Sequence, residues 1–132
     1  MKILIFTGSR GEWGYLRPIL KELKSRKINF KICATNMLLL EGFGMAVKEI
    51  EKEGFKVDEK IYMALDGYNV FTSTKSMGVL LNSFTDTVQR IKPDWILLAG
   101  DRSETLIASI VGIYTNTPDA HIQAGELSGN VD

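Results

Sequence analysis

Five short runs of β-branched and large apolar residues, Lys2 to Thr7, Asn29 to Thr35, Lys56 to Met63, Asp94 to Ala99 and Asp119 to Ala124, are separated by stretches with helical periodicity. A regular alternation of strand and helix demands crossover connections, and these build a mainly parallel sheet with helices packed on it. The runs around Ile3 and Ile96 are apolar at successive positions instead of alternating, the pattern of central strands covered on both sides. The expected fold is therefore α/β, a three-layer domain with a mainly parallel sheet whose first and fourth strands lie side by side.

The helical stretches carry their own punctuation. Leu16, Ile19, Leu20 and Leu23 share one face, and Pro18 is tolerated in a first turn, so the first helix is expected to start near Tyr15. A second, from about Phe43 to Glu53, turns Ala46, Val47 and Ile50 inward and stops at Gly54. The longest, about Thr74 to Lys92, bears a stripe of Met77, Leu80, Leu81, Phe84, Val88 and Ile91 and ends at Pro93. The last presents Leu106, Ile107, Ile110, Val111 and Tyr114 before Thr117-Pro118. The polar segment Asp66 to Ser73 reads as a connector.

At 132 residues the chain counts as one domain, and with 45% hydrophobic and 24% charged residues it needs no staple. Sixteen basic and sixteen acidic residues cancel, and no basic stripe with interleaved aromatics calls for nucleic acid. The basic cluster from Lys21 to Lys31 and the mixed cluster from Lys48 to Lys60 read as solvated helix faces. The opening apolar run is too short for a signal-peptide core or a membrane span. Cys33, the only cysteine, falls in an apolar run as a small buried hydrophobe. A soluble, cytoplasmic protein is expected, without a membrane partner. The chain stops at Asp132 directly after a Gly-rich loop, and a truncated or split product is expected.

In open α/β sheets ligands bind beyond the carboxyl ends of the strands, where helix N-termini favour anions. Three polar loops occupy such positions: Gly8-Ser9-Arg10-Gly11-Glu12, Gly100-Asp101-Arg102-Ser103-Glu104 and Gln123-Ala124-Gly125-Glu126-Leu127-Ser128-Gly129. The first is a cradle for a diphosphate or an ordinary Gly-bearing turn, and it lacks P-loop spacing. Asp101 emerges at the top of a central strand, where Arg102 or Ser103 is its expected partner and helix capping the alternative role. His121, the only histidine, lies inside the fifth run and reads as a hydrogen-bonded structural residue or a cleft residue, not a metal ligand.

On these loops, together with Thr7 to Gly14, Lys48 to Phe55, and His121 to Gly129, the sequence resembles the hydrolysing UDP-N-acetylglucosamine 2-epimerases of sialic-acid-type pathways. The resemblance implies two Rossmann-like domains in the glycosyltransferase-B-like arrangement, of which residues 1–132 form the N-terminal one and the C-terminal nucleotide-binding domain is absent. It implies conversion of a UDP-2-acetamido sugar to the free 2-epimer and UDP, with no cofactor and no metal. The partners implied are the UDP-sugar substrate, the missing domain, and a second copy meeting the long helix near Val79, which lies off the core stripe. Carried over by position, Asp101, Glu126, Asp132 and His121 form the catalytic set, and Gly8, Arg10, Glu12, Arg102 and Gln123 the substrate-binding set. Gln123 stands where some members carry a catalytic glutamate, a role that Glu126 then takes, and Asn36-Met37-Leu38-Leu39 replaces a loop that holds a histidine in many relatives. A non-catalytic nucleotide-sugar or phosphate-binding module, or half of a related glycosyltransferase, is the alternative.

Overall fold

A computed structural model describes residues 1–127 and 129. The chain alternates β1 (Lys2–Thr7), α1 (Arg10–Ser25), β2 (Asn29–Thr35), α2 (Val47–Lys52), β3 (Glu59–Ile61), α3 (Val70–Ile91), β4 (Trp95–Ala99), α4 (Ser103–Tyr114) and β5 (Asp119–Ile122), with two 3-10 turns, Asn36–Leu39 and Glu41–Phe43, before α2. The five strands form one sheet in the order β3-β2-β1-β4-β5. All pairs are parallel, with Leu4 opposite Ile96 and Ile5 opposite Ile32. The expected adjacency of the first and fourth strands is observed.

Side chains leave successive strand positions on opposite faces, and two cores follow. Ile5, Ile32, Ala34 and Leu97 pack with Trp13, Leu16 and Leu20 of α1 and Ile50 of α2. On the other face Leu4, Phe6, Ile96 and Leu98 meet Leu80 and Phe84 of α3 and Ala108 and Val111 of α4. Phe6 and Phe84 pack edge to face with ring centres 4.9 Å apart. Helices α1 and α2 cover one face and α3 and α4 the other, and the winding reverses between β1 and β4.

Several boundaries differ from expectation. Helix α1 begins at Arg10, five residues before Tyr15, so Pro18 lies inside it. Pro18 and Gly14, whose carbonyl loses its partner, both face solvent, where water meets the lost hydrogen bond. The start was signalled by Ser9 and Glu12, which have capping-box spacing: the Ser9 hydroxyl accepts the Glu12 N–H at 3.3 Å. Helix α3 starts at Val70 behind an Asn69–Thr72 capping box, so the connector expected to reach Ser73 ends in a helical turn whose Val70 and Phe71 are exposed. β3 shrinks to an edge strand because the Asp58 carboxylate takes the Ile32 N–H at 3.0 Å in place of a backbone acceptor. Residue 81, expected on the core stripe, is exposed, whereas Val79 packs against the core.

The buried face of α4 is rotated from the expected one. Glu104, Thr105, Ala108, Val111 and Gly112 face inward while Leu106, Ile113 and Tyr114 are exposed. A β-carbon on Gly112 would lie 3.0 Å from the Thr117 carbonyl, so close helix-to-loop packing selects the small residues and turns the large ones out.

Candidate functional site

The first and second polar loops flank the point where the winding reverses. Helix α1 enters from Ser9, and the Gly8 N–H, one residue before the cap, donates to Oε2 of Glu12 at 2.5 Å. The Gly8 amide thus donates to a side chain, the carboxylate beneath its own loop. Glu12 itself, expected among the substrate-binding residues, is only 3% exposed. Its Oε1 is buried without a hydrogen-bond partner among the described residues. Burial pushes its carboxyl up to about 7, against the pull of the Gly8 N–H and with a further push from the Glu104 charge.

Glu104, fully buried, is the residue that sequence reasoning missed. Burial alone would raise its pKa, but hydrogen bonds from Arg102 and Asn36 outweigh it and hold the carboxyl below its ordinary value. Arg102 Nε donates to Oε1 at 2.8 Å and Asn36 Nδ2 donates to the same oxygen at 2.9 Å. Spacings of four and three residues put Glu104 in line with Ala108 and Val111, so a carboxylate on the inward stripe of α4 was the available signal. The two acids brace the loops from below. A β-carbon on Gly8 would lie 2.9 Å from Glu104 Oε1, and one on Gly100 would lie 3.6 Å from Glu12 Cγ.

Asp101 sits above this buried pair, exposed. Among the described residues no hydrogen bond or ion pair holds its carboxylate. The expected partners are engaged elsewhere, since Arg102 pairs with Glu104 and the Ser103 hydroxyl donates to the same carboxylate at 3.3 Å. No side chain caps α4 either. A deeply buried carboxylate outcompetes an exposed one for a cation, because water stabilises only the latter.

Asp101 shares a cleft of about 220 Å³ with Tyr15, Gly100, Gln123 and Glu126. Gln123 has φ of +55° and Gly125 of +82°, and this doubly left-handed turn folds the third loop back over the second. An adjoining recess of about 180 Å³ joins Asp101 to Arg102, Thr105 and His121. His121 Nε2 lies 2.5 Å from the Gly100 carbonyl. A carbonyl only accepts, so Nε2 carries the proton and the ring ties β5 to the Asp101 loop. Arg10 stands apart, its guanidinium 2.7 Å from Glu49 of α2 with both side chains more than half exposed, at 61% and 54%. Asp132 lies outside the described residues, as does Ser128 of the third loop. A larger recess of about 450 Å³ between Val88, Pro93 and Thr117 is at the amino ends of the strands, away from the polar loops, so side-chain chemistry and not volume locates the site. Among the described residues no group of three or more His, Cys, Asp or Glu is arranged to hold a metal ion, and no helix is long and apolar enough to cross a membrane.

A parallel, doubly wound sheet that brings a carboxylate unpaired among the described residues, a second acid and a tethered histidine to the carboxyl edge beside its switch point is a Rossmann-like domain, and that edge is where such sheets place their ligands. Comparison narrows the class. The sequence profile of the UDP-N-acetylglucosamine 2-epimerase family matches residues 21–132, and the chain belongs to that family. It is 38% identical over 132 residues to the hydrolysing UDP-N,N'-diacetylbacillosamine 2-epimerase of Legionella pneumophila, covering 99% of this chain and 35% of the relative. The hydrolysing GDP/UDP-N,N'-diacetylbacillosamine 2-epimerase of Campylobacter jejuni is 36% identical, with 99% and 34% covered. The crystal structure of the Neisseria meningitidis UDP-GlcNAc 2-epimerase bound to UDP-GlcNAc superposes with a TM-score of 0.80 at 26% identity, over 99% of this chain and 34% of that one. The chain thus spans about a third of the length of the relatives it matches.

Proposed function

We propose that this chain forms the proton-transfer wall of a hydrolysing 2-epimerase acting on a UDP-activated 2-acetamido sugar, and that a nucleotide-binding domain completes the enzyme. The observation that carries the reading is the exposed Asp101 carboxylate, unpaired among the described residues, at the end of central strand β4, in one cleft with Glu126 and Gln123, in a chain 38% identical to a hydrolysing 2-epimerase.

In this reading a carboxylate removes the proton at C2 of the sugar as the C1–O bond breaks. The electron pair of the C2–H bond forms the C1=C2 double bond of a glycal, and UDP departs. Water then adds, delivering hydroxyl to C1 and a proton to C2 from the opposite face, which inverts C2. Two proton-transfer groups suffice, and Asp101 takes one role while Glu126 or Asp132 takes the other. Gln123 cannot exchange a proton at neutral pH and serves in orientation. Arg10 turns from Glu49 to the departing diphosphate, because an exposed ion pair holds it by only about 0–1 kcal/mol. His121 keeps the Asp101 loop in register. A cytoplasmic setting, where a lone thiol stays reduced, belongs to the same reading.

The test is made in an enzyme joining this domain to the remainder that its relatives carry, with UDP and free amino sugar followed by chromatography. Asp101→Asn is expected to slow UDP release by about a hundredfold to ten-thousandfold, the usual worth of a positioned acid or base, with UDP affinity little changed. Near-wild-type turnover in a folded variant removes Asp101 from the mechanism, and steady turnover by the 132-residue chain alone overturns the need for a second domain.

A further inference from the structure

Tyr15 stands in the second turn of α1 and lines the Asp101 cleft, yet the proposed mechanism gives it no task. It is 49% exposed, and among the described residues it takes part in no hydrogen bond, ring contact or ion pair. The other large apolar side chains of α1 have a structural use, since Trp13, Leu16 and Leu20 are buried in the core. Ile19 and Leu23, four and eight residues after Tyr15, share its flank of the helix and pack against that core. With Trp95, Leu97 and Ala120 they line a groove of about 250 Å³, so this flank looks toward β4 and β5, the strands that deliver Asp101 and Gln123. Tyr15 is the member of the stripe at the site end, where loops take the place of strand side chains.

The cleft offers hydrogen bonds from several sides. The carboxylates of Asp101 and Glu126 accept, and the Gln123 amide both donates and accepts. Beyond these groups the lining is Gly100, Gly125, the Ala124 methyl and the Tyr15 ring. A pyranose presents two kinds of surface, polar substituents around its rim and C–H bonds on its faces. The acids and the amide match the rim. The C–H face is matched by an aromatic ring, whose negative face attracts weakly positive hydrogens, and Tyr15 is the one aromatic residue among the described residues of this lining. A ring carried on a helix is also held more rigidly than one carried on a loop.

Resting on the epimerase reading, we propose that Tyr15 is a substrate-contacting residue, the wall against which a C–H face of the sugar packs while C2 lies at the Asp101 carboxylate. Proton removal requires C2 within reach of a carboxylate oxygen, and in a cleft of about 220 Å³ a sugar ring so placed meets the Tyr15 wall as well. A ring packed on a flat surface loses its freedom to tumble, and its C2–H bond is offered to the acids in one orientation. Tyr15 thus reads the sugar and not the nucleotide, because UDP alone leaves the aromatic ring uncovered.

The ring resonances of the four tyrosines test this in the 132-residue chain, since Tyr62, Tyr68 and Tyr114 do not line the cleft and Tyr15→Phe assigns the Tyr15 signal. UDP-N-acetylglucosamine and UDP are each titrated at millimolar concentration, with the backbone amides of Gly100 to Arg102 and Gln123 to Glu126 followed in parallel. The Tyr15 signal should move with UDP-N-acetylglucosamine and stay in place with UDP. Sugar-ring protons of the bound ligand should shift upfield, the mark of protons held over an aromatic face. Tyr15→Ala, at an exposed helix position where alanine is the best helix former, should remove the upfield shift and weaken UDP-N-acetylglucosamine by about tenfold, the order of one aromatic contact, with UDP unchanged. Tyr15→Phe keeps the ring and should restore the shift, and the affinity to within about twofold. Loop shifts without a Tyr15 shift, an equal loss of UDP affinity in Tyr15→Ala, or a phenylalanine variant as weak as the alanine one overturn the assignment and leave the epimerase reading standing. No shift of tyrosine or loop signals with either compound overturns both.

Discussion

Replacing Glu12 with glutamine isolates the cost of the buried carboxyl beneath the first loop. Its folded pKa is raised from 4.5 to about 7, mainly by burial. A raised acid pKa means that the native state holds a proton which the unfolded chain has released. Stability from this group is therefore fully present below pH 4.5 and is lost as pH rises through about 7. The loss amounts to roughly 1.4 kcal/mol per pH unit inside that window and about 3 kcal/mol across it. Glu104, whose pKa is lowered, acts in the opposite sense and outside the window: its contribution is present above its ordinary pKa and lost in acid. Glu12→Gln keeps an oxygen to accept the Gly8 N–H but buries an amide NH₂ where Oε1 has no partner, a penalty of roughly 1–3 kcal/mol that does not vary with pH. The informative quantity is thus the difference in slope. Urea unfolding of both proteins at unit steps from pH 5 to 9 should show the wild type losing up to about 3 kcal/mol more than the variant. Parallel curves would mean that Glu12 is ionised in the folded protein and would refute the account of the buried pair.

Gly8→Ala should destabilise by about 1–3 kcal/mol, since its β-carbon would meet a Glu104 side chain that Arg102 and Asn36 hold in place; thermal melting measures it. Arg10→Ala should change unfolding free energy by less than about 1 kcal/mol because its pairing with Glu49 is exposed, while UDP release by the completed enzyme falls; a large stability loss would make Arg10 structural. Cys33 is buried and its thiol pKa is pushed up by burial, so a thiol reagent at neutral pH should label it only on unfolding, and rapid labelling of the native chain would contradict its place in the core.

What the sequence determined alone was the part written in local periodicity. The strand and helix alternation, the central placing of Lys2–Thr7 and Trp95–Ala99, and the delivery of three polar loops to one edge follow from apolar spacing and from the rule that parallel strands need crossovers. Asp101, Gln123 and Glu126 were legible as site candidates because each sits in a loop just beyond a strand. Tertiary structure decided the rest, because it depends on neighbours distant in the chain. Glu12, which the sequence put in the substrate-binding set, and Glu104, which it left unassigned, become a buried pair only because the pairing of β1 with β4 brings the first turns of α1 and α4, from opposite faces of the sheet, to one edge and removes water from both acids. Arg102 adjoins Asp101 in sequence, yet it turns to Glu104, since the dry carboxylate gains more from a cation than the wet one. The inward face of α4 was set in the same way: Gly112 must pass the Thr117 carbonyl, and that close approach outweighs the hydrophobic gain of burying Leu106 and Tyr114.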